Sequence, residues 1–430
     1  MGIIILVAFV LLVVVGVPIA FCLGGAGVLG LLLSPQAAGM IDAVPQQVFN
    51  SLNSFPFLTI PLFIFAGTIM AEGGVAQRLM GVTEMTVGRR RGGLGIAVVV
   101  AAMFFHGISG SSTADTASIG KVTIPALRQQ GYPLPFSTAL LAAAGATATL
   151  VPPTIDLIII GVVANISIAG LFAAGLIPAI INAIGLITVV LILSRRHRWG
   201  GIAKRVSLRT FAVSLAKAAP ALFMVVIILG GILSGAFTPT EASAVAVVYG
   251  LIVSLFVYRD LKLRMLPQIF RESVEISGMV MLVIAMGALV GFAMTIGQVP
   301  QDVAAALQRV AGDRNIFLFL VQLLFFAIGM FMDAVPALII LMPILTPVAV
   351  SHVIDPIHFG ILIEANVALG MAHPPVGVCV FAACAVAKLP LEHIIRPLLP
   401  FLAILIVTLL LITYVEGFSM FLPRVLGLTT

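Results

Sequence analysis

At 430 residues, with 61% hydrophobic and only 9% charged side chains, the chain falls far below the roughly one-quarter charged content of a soluble domain. Its net charge of +6 comes from Arg and Lys grouped in short loops, a pattern that orients membrane spans and gives no reason to expect a nucleic-acid partner. Apolar runs long enough to cross a bilayer recur throughout, and the ten-residue alternation of a barrel is absent, so the composition predicts an all-α polytopic membrane protein.

Residues 3–33 form one apolar run, read as two short spans joined near Gly16-Val17-Pro18, with no basic segment or cleavage site ahead of them. A polar connection over 34–56 leads to a span at 57–71. The segment 75–91 reads as an interfacial helix ending in Arg89-Arg90-Arg91, which places that end in the cytoplasm. Residues 94–128 read as a re-entrant hairpin entered from the cytoplasm, with its tip at Ser109–Thr113. Residues 135–163 follow as a span broken at Val151-Pro152-Pro153-Thr154, since two consecutive prolines remove amide donors and disfavour helix before them. A span over 168–193 ends in Arg195-Arg196-His197-Arg198-Trp199, basic with an interfacial indole, and 201–217 is expected to be a cytoplasmic linker.

The second half, 218–430, repeats the plan. Two spans near 218–236 and 240–258 lead to a span over about 276–296 and an amphipathic segment at 300–314. A second hairpin over 315–350, a span over 356–387 broken at Ala372-His373-Pro374-Pro375, and a last span from Pro400 complete it. A shift of 222 positions carries Pro125 onto Pro347, Pro152-Pro153 onto Pro374-Pro375, and Pro178 onto Pro400. The chain is therefore read as two units, 1–200 and 218–430, inverted relative to each other, with about ten spans and two hairpins in all. Interrupted hydrophobic segments at matching positions of two halves point to the binding site of a secondary transporter.

The first tip, Ser109, Gly110, Ser111, Ser112 and Thr113, supplies hydroxyl and carbonyl oxygens, hard donors that suit a small cation such as Na⁺. Loosened carbonyls at Val151, Pro152 and Thr154 are placed to complete its shell. At the second tip, Met332 and Asp333, with carbonyls near Ala372 and His373, form a second candidate cation site, because a carboxylate at membrane depth is costly. Ser111, Ser112, Thr113, Asp115, Thr154 and Pro375 are the candidate substrate contacts. His106 and the methionine-rich stretches read as packing, as do Cys22, Cys379 and Cys384, which lack metal-ligand spacing. Gly107-Ile108-Ser109-Gly110 also fits the G-x-S-G pattern of intramembrane serine proteases, but a protease explains neither the repeat nor the paired prolines.

Taken together, SFPFLTIPLFIFAG (54–67), GISGSSTADTASIG (107–120), IPALRQQGY (124–132), VPPTIDLIIIG (151–161), FTPTEASAVAVVYG (237–250) and GMAHPPVG (370–377) resemble the large membrane subunit of tripartite ATP-independent periplasmic (TRAP) transporters over nearly the whole chain. The resemblance implies a non-enzymatic, Na⁺-coupled importer of an organic acid in the bacterial inner membrane, working by an elevator motion. It also implies two partners, a small four-helix membrane subunit and a periplasmic substrate-binding protein. On the family pattern, Na⁺ would sit at the Ser109–Ser112 tip with the Pro152 break, and at Asp333 with the Pro374 break. The chain departs at His373, where Thr is expected, and at Asp156, usually non-ionisable, which leaves a place for proton coupling. The alternative within transport is a stand-alone anion symporter or Na⁺/H⁺ antiporter.

Overall fold

The structure, a computed structural model, describes residues 1–34, 37–87, 91–200, 208–310, 312–329, 334–374 and 377–429. Among these the regular elements are helices, apart from one bridge between Arg91 and Gly200. The first half contains α1 (Gly2–Val14), α2 (Ile19–Leu33), α3 (Val44–Leu52), α4 (Thr59–Glu72), α5 (Val75–Val87), α6 (Gly93–Ser109), α7 (Ser112–Gln129), α8 (Leu134–Thr147), α9 (Ile155–Val163) and α10 (Ile168–His197). The second contains α11 (Leu208–Leu233), α12 (Pro239–Ile252), α13 (Leu266–Ile296), α14 (Val299–Val310), α15 (Arg314–Gly329), α16 (Ala334–Ser351), α17 (Pro356–Met371), α18 (Val378–Ala387), α19 (Glu392–Tyr414) and α20 (Gly417–Val425). Eight helical stretches among the described residues are long and apolar enough to cross a membrane.

Local chemistry sets the boundaries. The first apolar run is two helices, because the chain turns at Val15–Val17 and Pro18 caps α2. The Thr-Pro-Thr-Glu motif closes a capping box at α12: Thr238 accepts from the Glu241 amide, and the Glu241 carboxylate accepts from the Thr238 amide. Asp355 caps α17 by accepting from the Ile357 amide at 2.8 Å. The stretch expected as a linker, 201–217, is helical from Leu208 onward. Trp199, read as an interfacial indole, also packs against other aromatic rings. Its ring packs 4.8 Å from Phe136 and 6.1 Å from Tyr132, and Phe136 in turn meets Phe401.

The helix boundaries follow the same offset as the prolines. Shifted by 222, Ser112–Gln129 lands on Ala334–Ser351, and the starts of α8 and α17 coincide. The packing is reciprocal as well. Helix α2 lies on α13 while α12 lies on α4, and α7 lies on α18 while α16 lies on α9. Hairpin arms of each half thus pack against the broken helix of the other. A largely buried core surrounds α8, α17 and the 148–150 turn that leads into the first break.

Candidate functional site

The first tip is a helix–turn–helix closed by buried polar contacts. Helix α6 ends at Ser109, and Gly110 takes the left-handed conformation (φ +69°), which a residue with a Cβ adopts only at a cost. Ser111 is extended and begins α7. In the last turn of α6, His106 Nδ1 lies 2.7 Å from Asp115 Oδ2 in the first turn of α7, and the Ser109 hydroxyl donates to Asp115 Oδ1. Asp115 therefore borders the cavity with both oxygens already engaged. The Ser109 hydroxyl is bonded to a carboxylate and not to an imidazole, so the Ser–His pairing of a serine protease is not formed. Ser111 is half-buried and Thr113 exposed, while Ser112 is buried with its carbonyl accepting from Thr116.

The first break lies against this tip. Helix α8 runs into the 148–150 turn, the chain is irregular over Val151–Pro153, and α9 restarts after the extended Thr154. A Cβ placed on Gly107 would stand 3.2 Å from the Pro152 carbonyl oxygen, and one on Gly110 would stand 3.7 Å from that of Pro153. Thr154 Oγ1 is buried with no hydrogen-bond partner among the described residues. Hydroxyl and carbonyl oxygens of the tip and the break thus lie close together. Among the described residues no three His, Cys, Asp or Glu converge as a transition-metal site would require.

At the second break, Ala372 is fully buried. His373 is half-buried, with its ring centroid 4.8 Å from that of Phe326 in an edge-to-face arrangement and its Nδ1 hydrogen-bonded to the Pro374 carbonyl. The carbonyl oxygens of Met371 and His373 crowd Gly377, 3.0 and 2.6 Å from where its Cβ would be. Met332, Asp333 and Pro375 lie outside the described residues.

A cavity of about 580 Å³ joins these parts. Its wall combines the first tip, the start of α9, the α7 face carrying Ser118 and Lys121, Val335 and Pro336 at the start of α16, and Met371 at the end of α17. Helices α4 and α13 close the other side. Ser111 and Pro336, 225 positions apart, therefore face one space. Gly67 on α4 backs directly onto the tip: a Cβ there would stand 2.6 Å from the Ser109 Cα. The sequence reading did not single out Lys121, Glu72 or Glu272, which also line the cavity, because nothing local joins three residues on three separate helices. It also passed over Glu364 on α17, fully buried with both carboxyl oxygens unpartnered among the described residues. The signal was present, since Glu364 is the one acidic residue in the apolar run 356–371.

Interrupted helices gathered around a mid-chain cavity, in a chain of bilayer-length apolar helices, define a multi-pass membrane transporter. Comparison with known proteins agrees. Residues 6–418 match the family described as the tripartite ATP-independent periplasmic transporter, DctM component, and the chain belongs to that family. It is 39% identical to the C4-dicarboxylate TRAP transporter large permease protein DctM of Pseudomonas aeruginosa, covering 95% of each chain. It is 40% identical to the isethionate TRAP transporter permease protein DctMQ of Oleidesulfovibrio alaskensis over 96% of this chain, but that match spans only 65% of the longer relative. Against the sialic acid TRAP transporter large permease protein SiaM of Vibrio cholerae the identity is 32%, with 95% of each chain covered. Among solved structures, the YdaH transporter of Alcanivorax borkumensis shares the fold, with a TM-score of 0.60 at 14% identity over 90% of each chain. The protein is accordingly a permease subunit of the inner membrane and not an enzyme.

Proposed function

We propose that this chain is the large membrane subunit of a Na⁺-coupled importer for an organic acid, delivered by a periplasmic binding protein. The observation that carries the reading is the charge of the cavity wall. Glu72, Asp115, Asp156 and Glu272 line it with a single cation, Lys121, among the described residues. An anion entering so acidic a space is repelled unless cations enter with it, and the oxygen-rich tip and break adjoining the cavity supply donors for them. The relatives named above handle a C4-dicarboxylate, isethionate and sialic acid, which differ in size but share an anionic group. Lys121 is the group suited to meet that anion.

In this reading the Ser109–Ser112 tip and the Val151 and Pro152 carbonyls hold one Na⁺, and the second break, with Met332 and Asp333, holds another. Ser111, Ser112, Thr113, Thr154 and Pro375 border the substrate. The two halves are inverted copies, and the hairpins and broken helices move together against the frame of α2, α4, α12 and α13. The reciprocal packing of the halves supports that division. A small four-helix membrane subunit completes the transporter. The relative DctMQ, longer than this chain, has room for such a partner fused to it.

The test is uptake of C4-dicarboxylate, isethionate or sialic acid into proteoliposomes under an imposed Na⁺ gradient, with and without a binding protein. The expected result is uptake that needs both and weakens in its Na⁺ dependence in Ser111→Ala. Uptake without any binding protein would favour a stand-alone symporter, and uptake indifferent to Na⁺ would remove the coupling ion.

A further inference from the structure

Three chain ends meet at the base of the first hairpin: the start of α6, the end of α7 and the end of α10. A bridge joins Arg91 to Gly200, and the Gly200 amide donates to the Gln130 carbonyl at 3.2 Å. The approach is close. A Cβ on Gly92 would stand 3.4 Å from the Ser194 Cβ, and one on Gly200 would stand 2.7 Å from the Tyr132 hydroxyl. The junction gathers five exposed guanidinium groups, those of Arg91, Arg128, Arg195, Arg196 and Arg198. Among the described residues none of the five forms an ion pair with a carboxylate. The sequence supplies no acid for them either. Between Glu84 and Glu241 the chain holds only Asp115 and Asp156. Asp115 is in the first turn of α7 and Arg128 in the last, about 20 Å away along the helix.

The junction also holds polar groups that the protein itself leaves unmatched. The hydroxyls of Tyr132 and Ser194 are buried without a hydrogen-bond partner among the described residues, as is the Gln130 side-chain oxygen. Helix α6 starts at Gly92 with no side-chain cap, so the amides of its first turn lack an intrahelical acceptor. Guanidinium forks, hydroxyls and helix N-terminal amides are the donors that recognise a phosphate. Trp199 stands half-buried at the same junction, its ring stacked 4.8 Å from that of His197. An indole so placed beside exposed arginines marks the boundary between lipid and water, where phosphates are those of lipid headgroups. We propose that this junction binds the phosphate of an acidic phospholipid, with the arginines around it and Tyr132 and Ser194 donating from within. Bound there, the lipid ties both arms of the first hairpin to α10. Phosphatidylcholine carries its own cation beside the phosphate and is a poor match for five unpaired guanidinium groups.

The chain carries its own reporter, because Trp199 is its one tryptophan. The full chain is reconstituted in phosphatidylcholine vesicles containing phosphatidylglycerol brominated high on its acyl chains, and quenching of Trp199 emission is measured. The expected result is stronger quenching than by brominated phosphatidylcholine at the same mole fraction. Arg128→Gln and Arg196→Gln should each lower the apparent affinity for phosphatidylglycerol about fivefold. Tyr132→Phe keeps the charge but removes a donor, and should lower it about threefold or more. Equal quenching by the two lipids, or a preference retained in both arginine variants, overturns the proposal. A preference unchanged in Tyr132→Phe leaves only diffuse surface charge and overturns the built site. Loss of the preference on adding inorganic phosphate assigns the site to a soluble anion and overturns the lipid. Arg128 and Arg196 are exposed, so their variants decide even if Tyr132→Phe does not fold. None of these readings depends on uptake.

Discussion

His106 Nδ1 and Asp115 Oδ2 stand 2.7 Å apart across the first tip, with both side chains sealed from solvent. The pair joins the last turn of α6 to the first turn of α7, so it holds the turn that presents Ser111 and Ser112. Removing one partner leaves the other buried and unsatisfied, at a cost of about 1–3 kcal/mol. Asp115→Ala should therefore lower the thermal unfolding midpoint of the purified protein in detergent as well as abolish uptake. An unchanged midpoint with uptake lost would make Asp115 a ligand and not a clasp.

Gly67 on α4 backs directly onto Ser109 of the tip. Gly67→Ala would put a methyl 2.6 Å from backbone that cannot rotate away, so the tip must shift relative to α4. Uptake should fall about tenfold, and cysteine labelling at Ser118 should change as the population moves to a state in which the two surfaces have parted. Gly278→Ala, with open space around it, is the control and should behave as the wild type.

Lys121 is the cation that cargo meets in the proposed function. Losing a charge-assisted hydrogen bond typically costs about 1.5–3 kcal/mol, or roughly tenfold to a hundredfold in binding. Lys121→Gln should raise KM for the transported acid by about that factor with kcat little changed, measured by initial uptake rates. A fall in kcat alone would contradict a binding role.

Outside the spans, Glu416 accepts from Arg314 Nη2 at 2.9 Å and from Arg424 Nη2 at 2.7 Å. Burial pushes its carboxyl up, but the Arg314 hydrogen bond and the charges of His358, Arg314 and Arg424 together outweigh that and hold it below the usual glutamate value. A group depressed on folding stabilises above its ordinary pKa and loses that contribution as pH falls through the folded value. Glu416→Gln should thus unfold at a lower temperature than the wild type at neutral pH. The gap should close as pH drops below the ordinary glutamate range, and a gap independent of pH would assign it to packing.

Much of the fold was legible because membrane insertion imposes simple demands. Bilayer-length apolar runs, arginine clusters such as Arg195-Arg196, and paired breaks at Pro152-Pro153 and Pro374 are local signals, and each fell at a helix boundary or break among the described residues. Leu208–Lys217, expected within a cytoplasmic linker, is helical, because charged residues such as Arg209 and Lys217 sit on a helix as readily as elsewhere. The clasp between His106 and Asp115 escaped notice for a related reason. Two ionisable residues nine positions apart declare a contact only once the tip is known to fold back on itself.

The order of residues alone determined a multi-pass helical membrane protein with duplicated helix breaks, because hydropathy and proline chemistry act over one or two turns of chain. The tertiary structure alone decided which surfaces share the cavity. Lys121, Asp156, Glu272 and Pro336 come from four helices and line one cavity. Such proximities depend on how whole helices settle against one another, a property that no short stretch of sequence encodes.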